Sequence, residues 1–289
     1  MQPQKMINRA IFHHFSSIFH FCTLTICLFV MPNPLRAGQV DTVEIWSVSM
    51  KKSIRCVVIT PDDYTFQGTP YPVLYLLHGW SGNYAGWLTD APQLQQDADT
   101  YKMLIVCPDG GYDSWYLDSL VDSTVRYETH ITKEVIRFID YYYHTRPNRA
   151  GRAIAGLSMG GHGALFLAVR HQELFGAAGS MCGGVDFRPF RKNDWDLKGV
   201  LGNPVTEWKN WEAFSVINIF NQLKINDLPL MIDCGIDDFF IEVNRDLHQH
   251  LLNAGIPHEY TERPGKHNRD YWGSAVDYQV VFFKRFFDK

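Results

Sequence analysis

The sequence lacks an excess of positive charge, cysteine pairs with metal-type spacing, and internal repeats. Its 27 Lys and Arg face 31 Asp and Glu, which gives a formal net charge of −4. Because phosphate backbones are bound by clustered positive charge, this balance argues against a nucleic-acid partner. The six cysteines form no CxxC pair, so we expect neither a zinc site nor another metal or cofactor. No internal repeat and no low-complexity linker is present.

Long hydrophobic runs are also missing. Lys5 and Arg9 precede an uncharged segment from Ile18 to Val30, which is shorter than the roughly 20 residues that span a bilayer. Small Ala37 follows at a suitable cleavage position, so we expect residues 1–37 to be a secretory signal peptide rather than a membrane anchor. The mature chain, residues 38–289, is then one domain without stable membrane insertion. A secreted or periplasmic location follows.

Export permits disulfides, but the spacing of the remaining cysteines does not demand them. Cys56, Cys107, Cys182 and Cys234 each lie in or beside an apolar run. A chain of this length can build a large core without disulfides. We therefore expect four buried free thiols.

Short apolar runs alternate with segments of helical period, which predicts an α/β fold with a mostly parallel sheet of about eight strands and helices on both faces. Three segments show helical period: Ile131 to Tyr142, Phe240 to Leu251 with Gly255 ending it, and Val276 to Phe287. Residues 183–228 are less regular and resemble an insertion whose loops form a substrate wall. The predicted strands are Val43–Val48, Ile54–Thr60, Val73–Leu77, Met103–Cys107, Ala153–Leu157, Ala177–Met181, Leu230–Cys234 and His258–Glu262.

One strand leads into the motif Gly156-Leu157-Ser158-Met159-Gly160, and a small-residue helix follows. This strand–turn–helix context is typical of the nucleophile elbow of the α/β-hydrolase fold, in which the turn is too tight for bulky neighbours of the serine. We therefore predict Ser158 as a nucleophile at a helix N-terminus, where developing negative charge is stabilised.

An acid and a histidine follow Ser158 in the order that this fold uses. Asp237 and Asp238 both lie after a buried strand, and either could orient a histidine while the other caps the next helix. Asp233, inside the strand, is a poorer candidate. His267 lies in a turn-rich loop before the last helix and is the predicted general base.

Tetrahedral intermediates need two hydrogen-bond donors. One is predicted to be the backbone N–H of Met159, the residue after the nucleophile. The second is expected from the loop after the strand Val73–Leu77, at Trp80, where Gly79 and Gly82 allow close approach. His78 is expected to hold this loop in shape rather than to act as a catalyst.

These residues resemble the esterase D-like group, which includes the feruloyl and acetylxylan esterases of carbohydrate esterase family 1, the S-formylglutathione hydrolases and the mycolyltransferases. The resemblance covers nearly all of residues 38–289. It implies Asp238 as the acid, since the family places the acid three residues after Gly235, and it supports Trp80 and Met159 as the oxyanion hole. The matching motifs are Leu76-Leu77-His78-Gly79, Pro108-Asp109-Gly110, Gly156-Leu-Ser158-Met-Gly-Gly-His162-Gly-Ala, Gly235-Ile-Asp-Asp238 and Gly265-Lys-His267.

The resemblance implies a serine carboxylic-ester hydrolase that forms an acyl-enzyme on Ser158. We expect it to release feruloyl or acetyl groups from plant polysaccharide, with a promiscuous short-chain esterase as the main alternative. A non-catalytic carbohydrate-binding module and an exopeptidase are the alternatives from other classes. Four aromatic residues that look exposed in the sequence could stack on a phenolic ring or a sugar, although each could equally be packed inside: Trp80, Trp87, Trp115 and Tyr116. The sequence assigns no oligomeric state.

Overall fold

An eight-stranded sheet with the order β1-β2-β4-β3-β5-β6-β7-β8 organises the molecule. The computed structural model describes residues 40–190, 192, 195–223 and 228–289, so the predicted signal peptide lies outside the described residues. β2 pairs antiparallel with β1 and β4, and all other pairs are parallel. The strands are β1 Val40–Ser47, β2 Lys52–Ile59, β3 Val73–Leu77, β4 Leu104–Pro108, β5 Arg152–Leu157, β6 Ala177–Met181, β7 Leu230–Gly235 and β8 Glu259–Arg263. The predicted mostly parallel sheet is confirmed, and the predicted strands differ from these only at their ends.

Helices connect the parallel strands, and the three longest predicted helical segments are confirmed. A π-helical turn, His130–Val135, joins α3 to α4, and 3₁₀ turns occupy Arg149–Gly151, Arg188–Phe190 and Phe220–Gln222. Gly255, with φ +66°, follows the end of α9, as its sequence position predicts. The helices are α1 Gly86–Asp90, α2 Leu94–Tyr101, α3 Tyr127–Thr129, α4 Ile136–Tyr142, α5 Met159–Arg170, α6 Lys198–Leu201, α7 Trp208–Phe214, α8 Val216–Ile219, α9 Ile241–Asn253 and α10 Arg269–Phe287.

The central strands are buried on both faces because helices cover both sides of the sheet. Alternate residues of β3 enter different cores: Tyr75 and Leu77 pack in a cluster with α4, α5 and α9, whereas Leu74 and Leu76 pack in a cluster with α2 and α10. Such strands read as continuous apolar runs rather than alternating ones. Full burial of one of these leucines contributes about 1.5–3 kcal/mol.

The segment between β6 and β7 contains three short helices, α6 to α8, and is partly packed into the core. Trp211 and Val216 are buried, whereas Trp208 is about half exposed. The predicted insertion is therefore a covering layer fixed by apolar contacts.

The four cysteines in the described part of the chain are free and buried, as expected from their apolar surroundings. Among the described residues, no helix is both long and apolar enough to cross a membrane. The loops after β3, β5, β7 and β8 leave the same edge of the sheet because these strands are parallel. This edge brings together the residues predicted to carry chemistry.

Candidate active site

Ser158 lies in a sharp turn between β5 and α5. Its backbone has φ +53° and ψ −116°, a conformation that a non-glycine residue adopts only when its surroundings enforce it. A Cβ on Gly156 would overlap the backbone of Gly160, and a Cβ on Gly160 would lie 2.6 Å from the carbonyl oxygen of His78. The glycines of the motif are therefore required by backbone contact on both sides of the serine.

The structure brings Ser158, His267 and Asp238 into one hydrogen-bonded chain. The Ser158 Oγ lies 2.9 Å from His267 Nε2, and His267 Nδ1 lies 2.7 Å from Asp238 Oδ2. Asp238 cannot donate when ionised, so the imidazole Nδ1–H donates to it and Nε2 accepts the serine proton. Ser158 is 8% exposed and Asp238 is 2% exposed, so water competes little for these bonds.

Opposing effects act on the protonation of His267. Burial lowers its pKa, but the hydrogen bond to Asp238 and the neighbouring Cys182 thiol outweigh this, and the pKa is raised above the ordinary histidine value. The imidazole is thus a stronger base than a free histidine side chain.

The two neighbouring aspartates have different environments. Asp237 is exposed, and its backbone N–H donates to the carbonyl of Gly265 (3.0 Å). Asp238 points inward and uses both oxygens: Oδ2 accepts from His267, and Oδ1 accepts from the backbone N–H of Phe240 (2.8 Å). One aspartate, Asp238, thus contacts the histidine as expected, but the expectation that the other caps the helix is wrong: α9 begins after Phe240 with no side-chain hydrogen bond at its N-cap.

The loop after β3 passes directly beside the elbow. A Cβ on Gly79 would lie 2.6 Å from Leu157 Cδ1 and 3.3 Å from the Ser158 Cβ, so the absence of a side chain favours this close approach. The N–H of Met159, at the first position of α5, has no intrahelical partner by its position. The structure therefore places both Trp80, which follows Gly79, and Met159 next to the serine.

His78 holds this loop through both ring nitrogens. Nε2 accepts from the backbone N–H of Gly110 (2.8 Å), so the ring proton is on Nδ1, which donates to the Gly79 carbonyl (2.8 Å). The ring follows β3, and both of its hydrogen bonds go to backbone groups. It positions backbone rather than reacting groups.

A cavity of about 230 Å³ opens above Ser158, and aromatic rings dominate its walls. The Phe239 ring centroid lies 4.2 Å from that of His267, Trp195 stacks on Phe239 at 5.8 Å, and Trp272 meets His267 edge-on at 5.0 Å. Trp195 belongs to the insertion between β6 and β7. The sequence analysis expected the segment that contains Trp195 to form a substrate wall. It did not name Phe239 or Trp272, although Phe239 follows the predicted acid and Trp272 follows the predicted base by five positions.

Of the four aromatics that look exposed in the sequence, Trp87, Trp115 and Tyr116 are buried, which is the packed alternative of that prediction. Trp87 donates its indole N–H to the Leu77 carbonyl (3.1 Å), and Tyr116 donates its hydroxyl to the His78 carbonyl (3.0 Å). They support the backbone at the end of β3 from inside. Of the four, Trp80 alone combines a place in the cavity wall with partial exposure.

His162, within the helix that follows the elbow, has a structural environment. It is fully buried, its Nε2 contacts the Phe214 carbonyl at 2.9 Å, and burial lowers its pKa to about 4. A neutral imidazole that donates to a carbonyl ties α5 to the end of α7. His162 therefore fixes the insertion to the elbow helix.

Comparison with known proteins identifies the family. The "Putative esterase" family model matches residues 47–283. An esterase of Mycobacterium tuberculosis is 31% identical over 235 residues, covering 73% of this chain and 51% of that protein. An acetyl esterase of Caldicellulosiruptor saccharolyticus is 27% identical over 258 residues, covering 81% and 94%. The structure of a ferulic acid esterase superposes with a TM-score of 0.75 and 27% identity, covering 86% of this chain and 98% of that one.

The chain spans about half the length of the mycobacterial esterase and nearly all of the acetyl esterase. The family match covers every strand from β2 to β8 and all of the residues that surround Ser158. The strand order of this chain and the turn at Ser158 are those of an α/β hydrolase. The chain therefore belongs to the esterase family of α/β hydrolases, the esterase D-like group that also contains carbohydrate esterase family 1.

Proposed function

We propose that this protein is a serine carboxylic-ester hydrolase that releases feruloyl or acetyl groups from plant polysaccharide through an acyl-enzyme on Ser158. The observation that carries the proposal is the buried hydrogen-bonded chain from Ser158 Oγ through His267 to Asp238 at the base of a cavity. This arrangement supports a role as nucleophile, general base and orienting acid, respectively.

Acylation begins when Ser158 Oγ attacks the ester carbonyl and His267 Nε2 takes the hydroxyl proton. Asp238 stabilises the imidazolium by accepting from Nδ1–H at 2.7 Å. The same imidazolium then donates its proton to the departing alcohol oxygen, which leaves Ser158 esterified. Water then attacks the acyl carbonyl while His267 takes its proton. The bond from the acyl carbon to Ser158 Oγ breaks, His267 returns the proton to Oγ, and the acid leaves.

Each tetrahedral intermediate carries a negative oxygen that needs donors already in place. The backbone N–H groups of Trp80 and Met159 are proposed for this task because both residues lie next to Ser158. His78 holds the backbone before Trp80 in place by donating a hydrogen bond to the carbonyl of Gly79. Backbone donors held by a buried ring need little reorganisation when charge develops.

The choice of substrate rests on the cavity walls and on two relatives. Aromatic rings beside His267 suit a flat phenolic ring or the apolar face of a sugar. The relatives include an acetyl esterase and a ferulic acid esterase. Both observations favour a polysaccharide-linked ester, and the predicted signal peptide supports a secreted or periplasmic site of action.

A second candidate is a promiscuous short-chain esterase. The cavity volume of about 230 Å³ favours it, because pockets for drug-sized ligands span roughly 300–1,000 Å³. A small acyl group such as acetyl or butyryl fits this volume without requiring contacts to the alcohol.

The decisive experiment compares Ser158→Ala with the wild-type protein on 4-nitrophenyl acetate, methyl ferulate, acetylated xylan, tributyrin and a dipeptide amide. Ser158→Ala should abolish ester hydrolysis while the thermal unfolding midpoint stays close to that of the wild type. Ser53→Ala, at an exposed position of β2, is the matched control and should retain full activity.

The substrate panel separates the candidates by kcat/KM. Preference for methyl ferulate or acetylated xylan supports the polysaccharide role, and preference for tributyrin replaces it with the short-chain esterase. Activity that survives Ser158→Ala contradicts the proposed nucleophile, and cleavage of the amide alone would indicate an exopeptidase.

A further inference from the structure

A buried carboxylate outside the hydrogen-bonded chain holds the loop that carries His267. Asp233 lies on β7, is fully buried, and pairs in register with Thr261 on β8. It contacts neither Ser158 nor His267 through its side chain. An ionised carboxylate in such a place needs partners, because burying it unpaired is strongly unfavourable.

The two partners of Asp233 lie on opposite sides of His267 in the sequence. Asp233 Oδ1 accepts a hydrogen bond of 2.5 Å from the Tyr271 hydroxyl, and Oδ2 forms an ion pair of 2.7 Å with Arg263 Nη2. Arg263 is the last residue of β8, and Tyr271 lies in the first turn of α10. One carboxylate therefore ties together both ends of the loop of residues 264–268.

The same loop is also held by backbone contacts. Gly265 has φ +151°, and a Cβ there would overlap the Tyr271 ring, so the loop lies flat against that ring. The backbone N–H of Ile236 donates to the Arg263 carbonyl (2.9 Å), and that of Asp237 donates to the Gly265 carbonyl (3.0 Å). The turn that carries Asp238 is thus bonded to the loop that carries His267.

Arg263 is held on a second side by aromatic rings. Its guanidinium lies 4.0 Å from the Tyr278 ring centroid and 5.4 Å from that of Tyr271. These contacts fix the cation over α10 while Asp233 neutralises it. The end of β8 and the start of α10 are therefore joined by one group of charges and rings.

We propose that Asp233 is a positioning residue that holds Arg263 and Tyr271, and through them His267, within reach of Ser158 and Asp238. The inference rests on the proposed function of the Ser158–His267–Asp238 chain. Misplacement of a reacting group by about 1 Å can cost on the order of 100-fold in rate. Loosening the loop should therefore reduce kcat without removing any group that touches the substrate.

Tyr271→Phe tests this with the smallest change, since it removes only the hydroxyl that donates to Asp233. We expect kcat on 4-nitrophenyl acetate to fall about 10- to 100-fold while KM changes less than about twofold. The acidic limb of the kcat/KM profile should move to lower pH, because a loosened His267 loses the support of Asp238 that raises its pKa. A purely structural role would not move this limb.

The matched control is Tyr64→Phe, which removes another buried tyrosine hydroxyl. The Tyr64 hydroxyl accepts from the His144 backbone N–H (2.7 Å), away from the cavity residues. This control should show a comparable loss in thermal stability, with wild-type kcat and an unshifted acidic limb.

A double-mutant cycle of Tyr271→Phe and Asp233→Asn tests whether Tyr271 acts on kcat through Asp233. Asp233→Asn should lower kcat at least as much as Tyr271→Phe, and the double variant should be no slower than Asp233→Asn alone. Additive losses, or a wild-type kcat and pH profile for Tyr271→Phe, would overturn the inference. If Asp233→Asn does not fold, the comparison of Tyr271→Phe with Tyr64→Phe still tests the inference.

Ser158→Ala assayed in parallel separates the two claims. If it keeps activity, the proposed active site is wrong whatever the Tyr271 variant does. If it is inactive while Tyr271→Phe behaves as the wild type, only the role of Asp233 is rejected.

Discussion

The nucleophile region and the histidine region of this esterase are held in place by different means. Ser158 follows β5, a central strand in which every residue is buried, and its turn is set by glycines against backbone. His267 follows β8, an edge strand with mostly half-exposed residues, and its loop is held by side chains from β7 and α10. Glycines packed against backbone fix the serine, whereas the histidine loop depends in addition on an ion pair and a hydrogen bond between side chains.

This difference has an energetic consequence. A strained backbone such as that of Ser158 costs about 1–3 kcal/mol, and the surrounding core must offset it. In the histidine loop, the unfavourable free energy comes from burying polar groups, which must be hydrogen-bonded or paired. Changes to the glycines around Ser158 should therefore appear mainly in stability, and changes to the polar groups that hold the His267 loop mainly in turnover.

Apart from Ser158→Ala, the largest expected effect concerns the carboxylate that contacts His267 and separates the two neighbouring aspartates. Asp238→Asn should lower kcat about 10⁴-fold, because an amide can neither stabilise the imidazolium nor hold the required tautomer. Asp237→Asn should change kcat little, since that side chain is exposed. Steady-state kinetics on 4-nitrophenyl acetate measures both. If Asp237→Asn is the impaired variant, the assignment of the acid is wrong.

The nucleophile region should respond next, and in stability. Gly156→Ala introduces a Cβ that overlaps the backbone of Gly160, so the free energy of unfolding should fall by at least about 1–3 kcal/mol. Gly199→Ala in α6 is the control, because its Cβ would meet no atom within 4 Å. Urea denaturation should show that control unchanged or slightly stabilised. Equal losses in the two variants would remove the distinction between the regions.

The smallest effect is a pH dependence that arises from His267. On acidification, activity should fall while the stability contributed by this residue should rise. Its pKa is raised, so kcat/KM should fall on acidification through a limb above the ordinary value of about 6.5. The stability that His267 adds is complete below about pH 6.5 and is lost as pH rises through the folded-state pKa. A folded-state pKa that lies one pH unit above the unfolded-state value corresponds to about 1.4 kcal/mol.

His267→Gln provides the comparison for that linkage. The difference in unfolding free energy between wild type and His267→Gln should be larger at pH 6 than at pH 9. A difference that grows with pH would show that the pKa of His267 is lowered in the folded protein rather than raised.

Two central strands show that apolar runs in the sequence can predict the bounds of a strand. β3 and β6 have the bounds that their apolar runs predict, because both faces of each are buried and the run ends where the sheet ends. The start of β1 differs most from its prediction, because exposed residues of this edge strand interrupt the apolar run. Smaller shifts occur in the other strands, including the fully buried β4. The elbow residues could also be named from sequence, because a tight strand-to-helix turn demands glycine at fixed offsets.

The aromatic residues show where this reasoning stops. Trp87 and Tyr116 read as exposed in the sequence, yet each donates to a carbonyl at the end of β3. Trp195 and Phe239 line the cavity through a stacking contact between segments far apart in the chain. Which side of a ring meets solvent depends on neighbours that no local pattern specifies.

By itself, the sequence determined the sheet, the elbow and the order of serine, acid and histidine, because these depend on periodicity, glycine geometry and strand-to-loop position. Only the tertiary structure distinguished Asp238 from Asp237 by contact and revealed that Asp233 joins Arg263 to Tyr271. Neighbouring carboxylates are chemically alike, and burial and reach separate them only after distant strands have packed.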